Sequence, residues 1–309
     1  EETATGTAAG RIRFARRAEP WQHVARQGED ARAGDPQLLA GSLLTPQAVA
    51  LAAGNGLARL TVGCRPRVAL LQTGSEIRPP GESILAHEIY NSNGILLSLL
   101  LEKERHPAAR NLGLVPDDPE RLRSAITAGL ECDLTLVSGG VSVGEKDYVP
   151  GILRELGVEI VIQGVAIKPG KPLLFGTWKR GPEVSRGETS PSYVFGLPGN
   201  PVAHLVCFYE MVLPFLRSFE GRQDREVFSC RGRLTAPIRE KPGGRTYFAL
   251  ARIAFRDGKW EAEPISAHGS GDYVSAAAAN GVIVRPADRP NPQPGDEVTI
   301  HLWEGPAGI

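Results

Sequence analysis

The chain has 309 residues, with 35 Lys+Arg against 35 Asp+Glu and therefore no formal net charge with His neutral. That balance excludes the broad basic footprint of a nucleic-acid binder or a polybasic membrane-surface protein. A composition of 41% hydrophobic and 23% charged residues is that of a globular protein, not a disordered one, and the length allows two or three domains, each able to bury a core. The 36 glycines and 25 prolines follow no collagen period, so they mark many tight turns. Cys64, Cys132, Cys207 and Cys230 lie far apart without a CxxC pair, as expected of buried free thiols in a reducing compartment, the cytoplasm by default. No apolar run reaches the ~18–20 residues of a spanning helix, and no signal-like segment is visible at EETATGTAAG. That start, without Met, gives the expectation that the sequence opens partway into a longer one.

In chain order, residues 1–64 read as the remainder of an N-terminal or linker region. They contain the turn-rich RQGEDARAGD (26–35) and a helix capped by Thr45, opened by Pro46 and closed at Gly54 or Gly56. Leu57–Gly63 reads as a strand. Residues 65–221 alternate strands and helices. The strands are Arg67–Gln72, Ala109–Val115, Asp133–Val137, Val158–Val165, Pro172–Trp178 and Tyr193–Leu197. The helices are Asn91–Arg105, Pro119–Gly129, Val149–Leu156 and Pro201 to about Phe219. This alternation predicts an α/β fold around a mostly parallel sheet. The polar segment 176–193 reads as a surface hairpin or loop. Residues 222–309 carry short β-type runs (Phe228–Leu234, Thr246–Phe255, Gly281–Arg285, Glu297–Leu302) between Gly/Pro/Asp turns, which predicts a small all-β barrel or sandwich without helices.

Ligands of an open parallel sheet bind beyond the carboxyl ends of its strands. Four unusual segments each follow a predicted strand: TGSE (73–76), VPDD (115–118), SGGVSVGEKDY (138–148) and GLPGNP (196–201). Together they predict a site containing Thr73, Gly74, Ser138, Gly139, Gly140, Ser142, Pro198, Gly199 and Asn200. Glycines let the backbone approach an anion, and the helix opened by Asn200 and Pro201 aims free N–H groups at the loop before it. IKPGKP (167–172) holds Lys168 and Lys171 between prolines, a frame suited to phosphate or another oxyanion. Against these cations stand Asp30, Glu76, Asp117 and Asp147. A hard cation such as Mg²⁺, shared between carboxylates and phosphate oxygens, reconciles acids with a phosphate site, so Glu76, Asp117 and Asp147 are candidate metal ligands. Asp118 is read instead as a helix cap. No HExxH motif and no Ser/His/Asp signature is present, so neither zinc nor triad chemistry is expected.

TGSEI, VPDDP, SGGVSVGEKDYV, IKPGKPLLFG and GLPGNPVA, in that order, resemble the molybdopterin molybdenumtransferase family, which includes the gephyrin E region. The likeness extends through RQGEDARAGD and LLTPQAVALAAGNGLARL upstream, and through GRTYFALARI and GSGDYVSAAAANGVIV downstream. The resemblance implies a three-layer molybdopterin-binding domain followed by a small β domain. It also implies insertion of molybdate into adenylylated molybdopterin, with Mg²⁺-assisted release of AMP, in a homodimer. By position, Asp30, Glu76, Asp117 and Asp147 are similar to the family's functional acids and Lys168 and Lys171 to its ligand-binding lysines. The Gly139–Gly140 and Gly199–Asn200 loops match those holding pterin and phosphate. Ser275 matches a β-domain segment near molybdate. Nucleic acid and membrane are not expected partners.

Three departures accompany the likeness. The family's Ser-x-Met-Asp-Gly-Tyr-Ala segment has no counterpart here, giving the expectation of a truncated or shortened chain. TGDE reads TGSE, with Ser75 in place of an acid. The Arg that usually follows the GRxxF motif by two residues is Leu250, and the nearest basic residue is Arg252. Two alternatives therefore stand beside the enzyme: a catalytically weak molybdopterin-binding scaffold, and an adenylyltransferase-like activity, against which the β domain argues.

Overall fold

The computed structural model describes residues 3–8, 11–14, 17, 19–107, 110–141, 147–180, 191–240, 243–267, 269 and 271–303, the first two segments by their backbone alone. The chain divides into two compact units, Glu1–Ala58 and Arg59–Ile309.

In the N-terminal unit, β1 (Thr3–Ala8) pairs antiparallel with β2 (Arg11–Phe14), a hairpin the sequence reading did not anticipate. Helix α1 (Pro46–Gly54) begins as predicted: the Thr45 hydroxyl accepts the Ala48 N–H at 3.2 Å and Pro46 takes the first position. Ala52 alone of α1 is buried. The predicted strand over Leu57–Gly63 does not form. These residues are all exposed and pair with no strand, so β propensity had neither partner nor core to act on.

The C-terminal unit begins with β3 (Val68–Thr73), a short pair β4 (Ile77–Arg78) and β5 (Ile89–Tyr90), and α2 (Ser92–Lys103). Next come β6 (Arg110–Val115), α3 (Pro119–Leu130), β7 (Leu134–Ser138) and α4 (Val149–Glu155). Strands β8 (Glu159–Gln163), β9 (Ile167–Lys168), β10 (Leu174–Trp178) and β11 (Ser192–Leu197) follow, then α5 (Pro201–Cys207) and α6 (Leu213–Phe219). The sheet order is β6-β3-β7-β11-β10-β8. Its first four strands run parallel, and β10 runs antiparallel to both neighbours. β3 and β7 are buried at every position, as strands covered on both faces must be. On one face, Leu97, Leu101, Val206 and Phe208 pack with Val68 and Leu70; on the other, Leu122, Ile126 and Leu153 pack with Leu71 and Val137. The result is the expected three-layer domain.

The predicted helix over 201–219 is present, but its middle turn, Phe208–Val212, is π-helical. That extra residue turns Tyr209 and Glu210 toward the following domain. Tyr209 stacks on Trp303 at 4.9 Å, and Glu210 Oε2 lies 2.9 Å from His301 Nδ1. This helix has the length and apolarity of a bilayer-spanning one, yet it is a core helix, with 61% of it buried.

The β domain comprises β12 (Phe228–Leu234), β13 (Thr246–Arg256), β14 (Lys259–Pro264), β15 (Gly281–Arg285) and β16 (Glu297–Leu302). The order β14-β12-β16-β15-β13 closes through a β13–β14 pairing, which makes a barrel around Leu234, Ala251, Ile253 and Ile300. β9 adds to its edge, pairing with β13. The expectation of a helix-free domain is corrected: α7 (Tyr273–Ala278) forms where Asp272 accepts the Ser275 N–H at 3.0 Å and an alanine run supplies helix propensity. The thiol expectation is also refined. All four cysteines are free, but only Cys132 and Cys207 are buried, and Cys64 is exposed.

Candidate functional site

The predicted loops converge. A cavity of about 430 Å³ is lined by Thr73, Gly74 and Glu76 after β3, Asp117 after β6, Ser138–Gly140 after β7, Asp147, and Pro198–Asn200 after β11. Parallel strands ending side by side place these loops along one edge. Ser142 lies outside the described residues. Asp30 belongs to the N-terminal unit, where it lines a separate hollow with Arg26, Gln37 and Asn55.

Asp117 is the most constrained of the acids. Its Oδ1 accepts the Thr73 hydroxyl at 2.8 Å and its Oδ2 the Ser75 N–H at 3.0 Å, while its own N–H donates to Ser75 Oγ at 3.0 Å. The serine that replaces an acid in TGSE is thus half of a reciprocal clasp that fixes the VPDD loop against the β3 loop. Asp118 caps α3 by accepting the Arg121 N–H at 2.9 Å, as read from the sequence. Gly139 has φ +92°, and an added Cβ there meets the Thr73 carbonyl oxygen at 2.4 Å. No other residue fits so close to the β3 loop.

The GLPGNP loop rests on His204, which is fully buried in α5 with Nδ1 3.2 Å from the Pro198 carbonyl. Burial lowers its pKa to about 4, so the ring is neutral at neutral pH and its Nδ1–H donates to Pro198. Asn200 occupies the cap position of α5, but its side chain makes no cap hydrogen bond. The loop carbonyl at Gly199 instead accepts Asn93 Nδ2 at 2.6 Å. Asn91, Asn93 and Tyr273 line the cavity and were missed by sequence reasoning; the signal available was the polar Asn91-Ser92-Asn93 at a helix start. Tyr273 comes from α7 of the β domain, and its hydroxyl meets that of Ser92.

Lys168 and Lys171 line a second cavity, of about 380 Å³, between the PGKP segment and the β domain. Among the described residues its other cation is Arg245, and its apolar wall includes Phe248, Ile265 and Leu250, the last only 3% exposed. The exposed Arg252, the basic residue nearest Leu250 in sequence, lies elsewhere, in register with Glu263. The cation the cavity gains on this strand side is Arg245, the Arg of the GRxxF motif itself. Pro172, Pro198 and Asn200 line both cavities, which therefore adjoin. Ser275 lines neither: its hydroxyl and N–H both bond Asp272 at the start of α7.

Glu76, Asp117 and Asp147 share the first cavity, but among the described residues no three acidic, His or Cys side chains converge into a ready-made metal cage. With both Asp117 oxygens engaged, this donor set fits Mg²⁺ held by one or two carboxylates and completed by phosphate oxygens, as that ion is commonly bound.

The fold and cavities define an α/β domain with a glycine- and acid-lined pocket, joined to a β barrel that walls a basic one. Residues 69–218 match the family described as "Probable molybdopterin binding domain", and 231–303 match the "MoeA C-terminal region (domain IV)". The molybdopterin molybdenumtransferase of Haemophilus influenzae is 32% identical over 302 residues, covering 97% of this chain and 72% of that protein. The Nostoc sp. protein of the same name is 32% identical over 270 residues, covering 86% and 60% respectively. A solved structure of the molybdopterin biosynthesis MoeA protein from Pyrococcus horikoshii superposes with a TM-score of 0.75 at 28% identity, covering 98% of this chain and 71% of that one. The chain belongs to the MoeA-type molybdopterin molybdenumtransferases, a family of enzymes of molybdenum cofactor biosynthesis.

Proposed function

We propose that this chain inserts molybdate into adenylylated molybdopterin and releases AMP, with the pterin and its phosphates in the first cavity and molybdate in the second. The observation that carries this reading is the adjacency of two chemically opposite cavities sharing Pro172, Pro198 and Asn200. The positive-φ backbone at Gly139 and Gly140 suits close approach by phosphate oxygens, and Thr73, Gly74 and Ser138 complete the polar wall. Lys168, Lys171 and Arg245 suit a tetrahedral dianion. When bound by Glu76, Asp117 or Asp147, Mg²⁺ supplies charge withdrawal at the phosphate under attack. The residues themselves contribute positioning: the Ser75–Asp117 clasp holds one loop, His204 and Asn93 hold another, and Ser275 fixes the Asp272 cap that carries Tyr273 into the wall. The protein so read is a homodimer located in the cytoplasm.

The test is incubation of the protein with adenylylated molybdopterin, Mg²⁺ and molybdate, following AMP. Molybdate-dependent AMP release with formation of active cofactor supports the reading. A second reading, a molybdopterin-binding protein of weak activity, is favoured by one observation: apolar Leu250 sits in the wall of the cation-lined cavity. Tight pterin binding without AMP release would establish it in place of the first.

A further inference from the structure

The second cavity contains one acid among its described lining residues, Glu240, and the family chemistry gives it no task. Its Oε1 stands 2.8 Å from Lys168 Nζ. Lys168 is held by the main chain, since β9 adds to the barrel with Lys168 in register with Tyr247 of β13. Glu240 precedes the same strand in sequence, and its carbonyl accepts Asn291 Nδ2 at 2.7 Å, which holds its backbone. The pair is accessible to solvent, with side-chain exposures of 41% for Lys168 and 31% for Glu240. Ion pairs in that setting are held loosely and exchange with other ions.

Among the described residues, an incoming oxyanion meets Lys171 and Arg245 without an acid of their own in this cavity, and Lys168 with a carboxylate already on it. A dianion spanning all three cations gains more than a carboxylate on one lysine. While Glu240 stays in place, however, it repels the newcomer across a few ångströms. We infer that Glu240 is a resident carboxylate on Lys168 that the tetrahedral oxyanion must displace, and that it thereby sets the affinity of the oxyanion site. The lysine stays paired and oriented between turnovers, and oxyanion capture becomes an exchange of anions. This rests on the assignment of the second cavity to the oxyanion.

The experiment uses the full chain, its Glu240→Gln and Lys171→Met variants, and sodium molybdate alone at fixed ionic strength. Binding is measured by calorimetry, and Lys168 reactivity by acetylation and mass spectrometry. Glu240→Gln should bind molybdate about three- to tenfold more tightly, and its Lys168 should acetylate faster than the parent's before molybdate is added. Lys171→Met should bind about tenfold more weakly. Unchanged or weaker binding by Glu240→Gln, alongside the loss in Lys171→Met, overturns the role of Glu240 and leaves the oxyanion assignment standing. Unchanged binding in both variants overturns the assignment as well. Equal Lys168 acetylation in parent and Glu240→Gln shows that the pair does not persist in solution and also overturns the proposal.

Discussion

The two cavities meet at Pro172, Pro198 and Asn200, yet they are built from different parts of the chain. The first is made by loops at the carboxyl ends of four parallel strands, and its charges among the described residues are Glu76, Asp117 and Asp147. The second lies where β9 adds to the edge of the barrel, and among the described residues its charges are Lys168, Lys171, Arg245 and one acid, Glu240. Placing Glu76, Asp117 and Asp147 in one compartment and Lys171 and Arg245 in the other keeps those groups from cancelling at contact distance. A chain of zero net charge can therefore present an acidic pocket for a cation-accompanied phosphate and a basic pocket for a free oxyanion. The partition is held by one wall, the Pro198–Asn200 loop over His204.

The comparison breaks most completely at Gly139. Gly139→Ala brings a Cβ to 2.4 Å from the Thr73 carbonyl at φ +92°, which should cost on the order of 3–4 kcal/mol of stability by denaturant titration. It should also abolish ligand binding in the first cavity.

The shared wall is tested by pH. His204 has a folded-state pKa of about 4, below the ordinary value of 6.5, so the unfolded chain takes up a proton that the folded chain refuses. Above pH 6.5 this titration costs nothing; between pH 6.5 and about 4 it removes stability progressively, up to about 3 kcal/mol. Denaturant titrations across that window should show the loss, and His204→Asn should flatten it.

Asp117→Asn tests the acid pocket alone. With the amide oxygen turned to the Ser75 N–H, the new Nδ2 can donate to the Thr73 hydroxyl oxygen, so melting should stay nearly unchanged while AMP release falls by about 10²-fold. Molybdate binding by the same variant should match the parent, because the oxyanion is assigned to the other compartment. The smallest effect is expected at Gly199, where an added Cβ has no neighbour within 4 Å. Gly199→Ala should change stability by about 0.5 kcal/mol at most, so any larger loss of pterin binding reports contact with ligand rather than a disturbed fold.

Much of the first cavity was legible because each of its loops follows an apolar strand and is announced by glycine or acid residues: Gly74, Gly139, Gly140, Gly199 and Asp117 are all local signals. Caps were equally readable, as Thr45 with Pro46 and Asp118 with Pro119 show. What escaped depends on chain segments distant in sequence. Lys168 and Lys171 read as neighbours of the acids because PGKP sits among the sheet's strands in sequence; nothing local reveals that β9 pairs with Thr246–Tyr247 and carries the lysines to the barrel. The pairing of Lys168 with Glu240 was hidden for the same reason. Arg245 was passed over in favour of Leu250 and Arg252, since only the folded strand shows which of them reaches a cavity. Leu57–Gly63 failed in the opposite sense: its residues favour a strand, but no neighbour offers a ladder. The short helix α7 is too brief for a periodic pattern and depends on the Asp272 cap.

The central claim is that oxyanion and phosphate occupy different compartments. Crystals of the protein soaked in tungstate or molybdate, with data collected at the metal's absorption edge, locate the oxyanion directly. The account predicts one anomalous peak among Lys168, Lys171 and Arg245. A peak instead within the Thr73–Asp117–Gly139 cavity, with the lysine cavity empty, would contradict it.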